Sequence, residues 1–157
     1  MTMSPSGPST GPPTGPTFRT EACLLVRVQT PEAHAQRLLN AITAVDPLCW
    51  GDYDQVSFAT AAGVQRFRTL PAARNQATKT ADAVPCVELS FVLAENADLA
   101  GVLSAICAAH VYEEPVIMVT PGLRTLHIRG TGENNPHRFW NKPNEDWVPL
   151  AHRPDRL

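Results

Sequence analysis

His110, Glu113 and Glu114 stand together in HVYEEP, and an imidazole beside two carboxylates is a set that binds a divalent cation or holds a proton-transfer pair. Cys107, one helical turn earlier, would complete a soft site for copper or zinc. These four are the candidate metal ligands. The structural alternative is that His110 closes an apolar helical stripe and bonds to backbone, with Cys107 as a buried, inert thiol. A second group, Asp52, Tyr53, Asp54 and Ser57, gathers acids and hydroxyls near a turn. Tyr53 and Ser57 are its candidates for a polar ligand, although turn formation explains the same residues. Arg66, Arg68 and Arg74 follow, and guanidinium groups suit phosphate or carboxylate; an ordinary solvated arginine face is the plain alternative.

No catalytic residue emerges. The chain has no Ser-His-Asp order, nucleophile elbow or HExxH helix, and the GTG at 130–132 lacks the GxxxxGK[ST] spacing of a phosphate loop. Catalysis by His110 with Glu113 or Glu114 is the least supported reading.

The elements that must position these residues are legible in the periodicity. Thr20 to Gln29 alternates, with Leu24, Val26 and Val28 on one face and Cys23, Leu25, Arg27 and Gln29 on the other, which predicts a strand. Thr30-Pro31-Glu32 supplies a helix start, with a capping hydroxyl and Pro at the first helical position. Leu38, Leu39, Ile42 and Val45 follow at helical spacing, and Pro47 ends the run. Gln55 to Thr60 and Val64 to Thr69 read as two short strands of a hairpin joined through Ala61-Ala62-Gly63. Residues 71–84 are small and polar and read as a mobile loop. Val87, Leu89, Phe91 and Leu93 then alternate with Cys86, Glu88, Ser90 and Val92. Asn96 or Asp98 caps a second helix, whose stripe of Leu99, Val102, Leu103, Ile106 and Cys107 runs into His110. Pro115 introduces a last short apolar strand.

That order predicts an α+β, ferredoxin-like βαββαβ sandwich, with both helices on one face of an antiparallel sheet. The other face would carry Cys23, Leu25 and Arg27 near Cys86, Glu88 and Ser90, too apolar for water and too polar for a core. It is expected to pack against sister subunits, with Arg27 and Glu88 as pairing partners. A singly solvated sheet is the alternative.

Composition bounds the rest. The 157 residues are 43% hydrophobic and 18% charged, which suits one domain. Thirteen basic against fifteen acidic side chains leave a formal charge of −2, so no cationic field exists for nucleic acid or an anionic bilayer. Cys23, Cys49, Cys86 and Cys107 show no CxxC spacing, which argues against zinc fingers and a disulfide framework. No apolar run approaches the roughly 20 residues of a membrane helix, and nothing at the N-terminus resembles a secretory signal. A cytoplasmic setting with reduced thiols is the expectation. Residues 1–17 are almost wholly Pro, Gly, Ser and Thr and read as a disordered arm. Residues 18–122 form the predicted domain. Residues 123–157 form a tail whose Phe139, Trp140 and Trp147 are expected to lie across this subunit or a neighbour.

GDYDQVSFAT at 51–60, FRTL at 67–70 and HVYEEP at 110–115, in that order around the second helix, resemble one family. It is the CutA-like, PII-like domain inserted in the dinuclear-metal-centre proteins related to the NGG-one-interacting factor, also found as a stand-alone YqfO-like form. The resemblance covers about residues 20–121 and departs from the family where Val111 replaces the usual Pro. It implies a CutA/PII-like subunit, commonly a homotrimer with sheets facing the middle. The family's two-metal site belongs to flanking domains, so the resemblance gives no expectation of that site in these 157 residues. The functional expectation is a non-enzymatic trimer that binds a small ligand or divalent metal ion at subunit clefts, for sensing or metal homeostasis. The alternative is a protein-interaction module with no small ligand, contacting a partner through arm and tail.

Overall fold

A computed structural model of the chain describes residues 11–142 and 147–153. The chain divides into two units, Glu21–Arg124 and a second unit formed by Met1–Thr20 with Thr125–Leu157. Its elements run β1 (Phe18–Thr30), α1 (Ala35–Thr43), β2 (Ser57–Ala59), β3 (Gly63–Phe67), β4 (Asp82–Ala94), α2 (Leu99–Ala109) and β5 (Ile117–His127). The sheet order is β2-β4-β1-β5, with β3 also on β4. This is the ferredoxin-like α+β plan.

The two long strands at the centre set the core. β1 and β4 pair antiparallel, Leu24 opposite Leu93 and Val28 opposite Leu89. Their alternation therefore puts one apolar row from each strand on the same face. Val26 and Val28 meet Leu89, Phe91 and Leu93 there, all at most 2% exposed. Leu38 and Ile42 of α1 and Val102 and Ile106 of α2 close over them. Each such side chain, fully buried, contributes roughly 1.5–3 kcal/mol of transfer free energy. Leu48 joins this core from the α1–β2 connection despite a left-handed backbone (φ 53°), held by its N–H donating to Asp46 Oδ1 at 2.7 Å.

Several expectations are corrected. Thr30 does not cap the first helix: it ends β1, fully buried. Pro31 precedes a 3-10 turn (Glu32–His34), and α1 begins only after it. α1 stops at Thr43, leaving Val45 outside it and 44% exposed. The second helix starts as read, Asp98 Oδ1 accepting from Gly101 N at 2.9 Å.

The hairpin at 55–69 does not form. β2 and β3 instead pair one after the other with β4, Ser57–Ala59 against Phe91–Leu89 and Gly63–Phe67 against Cys86–Asp82. They are two pieces of one edge line, and the turn-back lies in the 68–81 connection. β4 starts at Asp82, so the last residues of the predicted loop are strand. β5 runs through Pro121 to His127, an edge position where a missing N–H costs no ladder bond.

On the face away from the helices, Cys23 and Cys86 are buried and Leu25, Arg27, Glu88 and Ser90 half-buried. The register sets Ser90 opposite Arg27 and Gln29 opposite Glu88. Glu88 Oε2 accepts from Gln29 Nε2 at 3.3 Å. The expected Arg27–Glu88 match is therefore not a cross-strand pair, and Arg27 Nε is buried without a hydrogen-bond partner.

In the second unit, Ile128 N donates to Thr17 O at 3.0 Å and Thr20 Oγ1 to Pro13 O at 2.7 Å. Trp140 Nε1 donates to Glu133 O, and Phe139 packs edge-on against Trp140. Val148 is buried there, while Trp140 and Trp147 remain 41% and 66% exposed. Residues 1–10 of the arm, and 143–146 and 154–157 of the tail, lie outside the described residues.

Candidate functional site

The most densely bonded group of polar side chains gathers where α2 ends. His110 is the residue on which the helix terminates, its N–H donating to Ile106 O. Its Nε2–H donates to Gln29 O of β1 at 2.9 Å, and its Nδ1 accepts from Tyr112 N at 2.9 Å. Those partners assign the neutral, Nε2-protonated tautomer, because a proton on Nδ1 would face another N–H. Burial pulls the His110 pKa below its ordinary value of 6.5; the bond to Gln29 opposes this, while the charges of Arg37 and His34 add to it.

The stability that depends on neutral His110 is thus complete above about pH 6.5 and is lost as pH falls through the lower folded-state value. Lowering pH from about 7.5 to about 5 is expected to reduce the Tm of the native chain more than that of His110→Gln. Equal slopes in pH-dependent thermal melts would remove His110 as the cause.

Tyr112, fixed by the His110 turn, sends its hydroxyl to Cys86 Sγ at 3.5 Å and sets its ring 6.3 Å from that of Phe67. Burial, and then the contact with Cys86, push the Tyr112 hydroxyl up to about 12. Cys86 Sγ donates to Gln65 Oε1 at 3.6 Å, Gln65 Nε2 to Gln29 Oε1 at 3.2 Å, and Gln29 Nε2 to Glu88. A chain of side-chain bonds therefore links the helix end to the strand break. Tyr112, Gln29 and Gln65 were not among the sequence candidates; the tyrosine inside HVYEEP was the available signal.

The expected metal set does not assemble in the subunit. Both His110 nitrogens are engaged, Glu113 Oε2 accepts from Arg74 N at 3.3 Å, and Cys107 is exposed instead of buried. Among the described residues no three His, Cys, Asp or Glu are grouped to hold a metal ion. His110 packs and caps, as its structural reading has it.

The ligand candidates fall into two places. Tyr53 is 62% exposed and bridges to Trp50, and Ser57 opens β2. Arg66 lies on β3, with Arg68 and Arg74 in the connection after it, all exposed. Ser57 faces Phe91 and Arg66 faces Ala83, eight residues apart along β4, a separation of roughly 27 Å at the strand rise. One small ligand cannot touch both groups within a subunit.

No family model matches the chain, and no curated protein does either. Among solved structures, a Bacillus cereus protein related to NIF3 is similar over 66% of this chain at TM-score 0.55 and 23% identity. What the two share is the fold. The chain spans only 26% of that protein's length. CutA1 from Ehrlichia chaffeensis gives a TM-score of 0.48 at 13% identity over 64% of this chain and 80% of its own. GlnK from B. subtilis, in complex with ATP, gives 0.46 at 8% identity over 64% and 82%. No helix among the described residues is long and apolar enough to cross a membrane.

Proposed function

We propose that the chain is a non-catalytic homotrimer of CutA/PII-like plan that binds a small anionic ligand in the clefts between its subunits. The observation that carries this reading is the character of the two sheet edges. On one, Phe58, Val64 and Phe67 of β2 and β3 are 41–66% exposed; on the other, Met118, Val119 and Leu123 of β5 are 36–57% exposed. Exposed apolar edges are a liability unless another chain covers them. Two different edges joined head to tail form a ring when the rotation between copies closes, and the family resemblance points to a threefold one.

In such a ring the β2–β3 edge of one copy lies beside the β5 edge of the next, so Arg66, Arg68 and Arg74 would border the cleft, where guanidinium groups favour phosphate or carboxylate. Thermal-shift screening with nucleotides, small carboxylates and the divalent ions of copper and zinc tests this. A native-state ligand at one hundred times its Kd stabilises by about 2.7 kcal/mol. One anion is expected to raise Tm, and Arg66→Ala is expected to remove that rise. A flat screen contradicts the ligand half of the reading.

The exposed Trp140, Trp147 and Leu150 favour a second reading, an interaction module in which the tail engages a protein. A flat screen with loss of a pulled-down partner on Trp147→Ala supports it.

A further inference from the structure

The break between β2 and β3 leaves a cavity that the arginines do not line. Ala59 faces Leu89 and Gly63 faces Cys86, so the three residues Thr60–Ala62 span the two residues Val87 and Glu88. The extra residue bulges the edge outward, a device that commonly flanks binding sites. Thr60 holds the bulge in place: its N–H donates to Glu88 O at 3.0 Å, and its Oγ1 accepts from Glu88 N at 2.9 Å. Behind it opens a cavity of about 170 Å³, lined chiefly by Gln29, Thr60, Gly63, Gln65, Cys86 and Glu88.

The polarity of this wall is one-sided. Its single charged group is the Glu88 carboxylate. The bonds described above run in one sense towards it: Cys86 donates to Gln65, Gln65 to Gln29, and Gln29 to Glu88 Oε2. Bonds aligned in one direction polarise one another. The two amides are locked by this chain, and the second carboxylate oxygen, Oε1, accepts from no side chain among the described residues. The Thr60 hydroxyl still has its own proton to offer. The cavity therefore presents negative charge and one open acceptor, with apolar walls from Val64 and Val87.

We propose that this cavity binds a small organic cation, a primary ammonium or guanidinium compound, through Glu88. A cavity near 150 Å³ holds a benzene ring, so the occupant has about five or six non-hydrogen atoms. An anion meets the carboxylate and no compensating cation. Calcium or magnesium needs about six oxygen ligands and zinc about four nitrogen, sulfur or oxygen ligands, and one carboxylate and one thiol beside locked amides supply neither set. A charged N–H donor matches the open oxygen and gains a charge-assisted bond in a partly dry site. All lining residues belong to the Glu21–Arg124 unit of one chain, so the site goes beyond the cleft reading and takes no residue from a second copy.

Calorimetric titration of the full chain with n-butylammonium and methylguanidinium, against n-butanol and butyrate, tests the proposal. Saturable binding of one cation per chain is expected, with butanol and butyrate each at least about tenfold weaker, the scale of one charge-assisted hydrogen bond. Glu88→Gln keeps the shape and removes the charge, and is expected to weaken the cation by about tenfold. Equal affinity for butylammonium and butanol overturns the proposal, as does an unchanged affinity in Glu88→Gln or the absence of saturable cation binding. The comparison of butylammonium with butanol uses the native chain alone and remains decisive if Glu88→Gln does not fold.

Discussion

Phe58→Asp is expected to give a folded monomer where the proposed state of the unchanged chain is a trimer. Phe58 lies opposite Ser90 in the edge strand and is 66% exposed in the single chain. Replacing it costs the isolated subunit little, since substitutions at such sites change stability by only about 0.5 kcal/mol. In an assembled ring the same position would bury a carboxylate without a partner, and that desolvation costs several kcal/mol at each interface. Leu123→Asp on β5, 57% exposed, is expected to act in the same way from the other edge.

Mixing the two variants discriminates further. Each keeps one native edge, and those edges are complementary, so a head-to-tail contact predicts a heterodimer and nothing larger. A self-complementary contact predicts no mixed species. Light scattering of the separate and mixed variants reads both outcomes; a trimeric Phe58→Asp would show that the β2 edge takes no part in assembly.

Phe91→Ala is expected to cost about 3–5 kcal/mol, the range for truncating a buried aromatic. Phe91 is 2% exposed on the core face of β4 and belongs to the cluster closed by Leu38, Ile42, Val102 and Ile106. Those neighbours are themselves fully buried, so they have little freedom to collapse into the space. Against a typical domain stability of about 5–15 kcal/mol, the loss takes roughly a fifth or more. The denaturant midpoint should fall at nearly constant slope. A loss below about 1 kcal/mol would mean that the helices do not press on this face as described.

What the sequence disclosed, and what it hid, follows from how local each signal was. The core of β1 and β4 was plain because period-two alternation over a long strand has one structural meaning. The second helix's cap was narrowed to Asn96 or Asp98, and the structure puts it on Asp98. The hairpin misled because two short extended runs around Ala61-Ala62-Gly63 carry the local mark of a turn. What decides their pairing is the length of β4, whose 13 residues accommodate both, and no local pattern states that. β5 was cut short because Pro121-Gly122 reads as a turn until the strand is known to lie at an edge.

Cys107 misled for a rotational reason. It follows Ile106 by one residue, a turn of about 100° around the helix, which carries it off the line of Val102 and Ile106 and into solvent. Of the candidate site, the His110 segment was visible in HVYEEP, but its role was not. The Gln29–Gln65–Glu88 chain joins three strands, and glutamines in alternating strands give no sign that they will meet. The Tyr53 group and Arg66 lie apart because the edge line between them follows β4 from Ser57 opposite Phe91 to Arg66 opposite Ala83.

The most direct test of the account is the mass of the unmodified protein in solution, by light scattering after size exclusion at micromolar concentration. The account predicts one species with the mass of three 17.0 kDa chains. A single 17.0 kDa species under the same conditions would contradict it, because both apolar edges would then stand in water and no cleft between copies would exist.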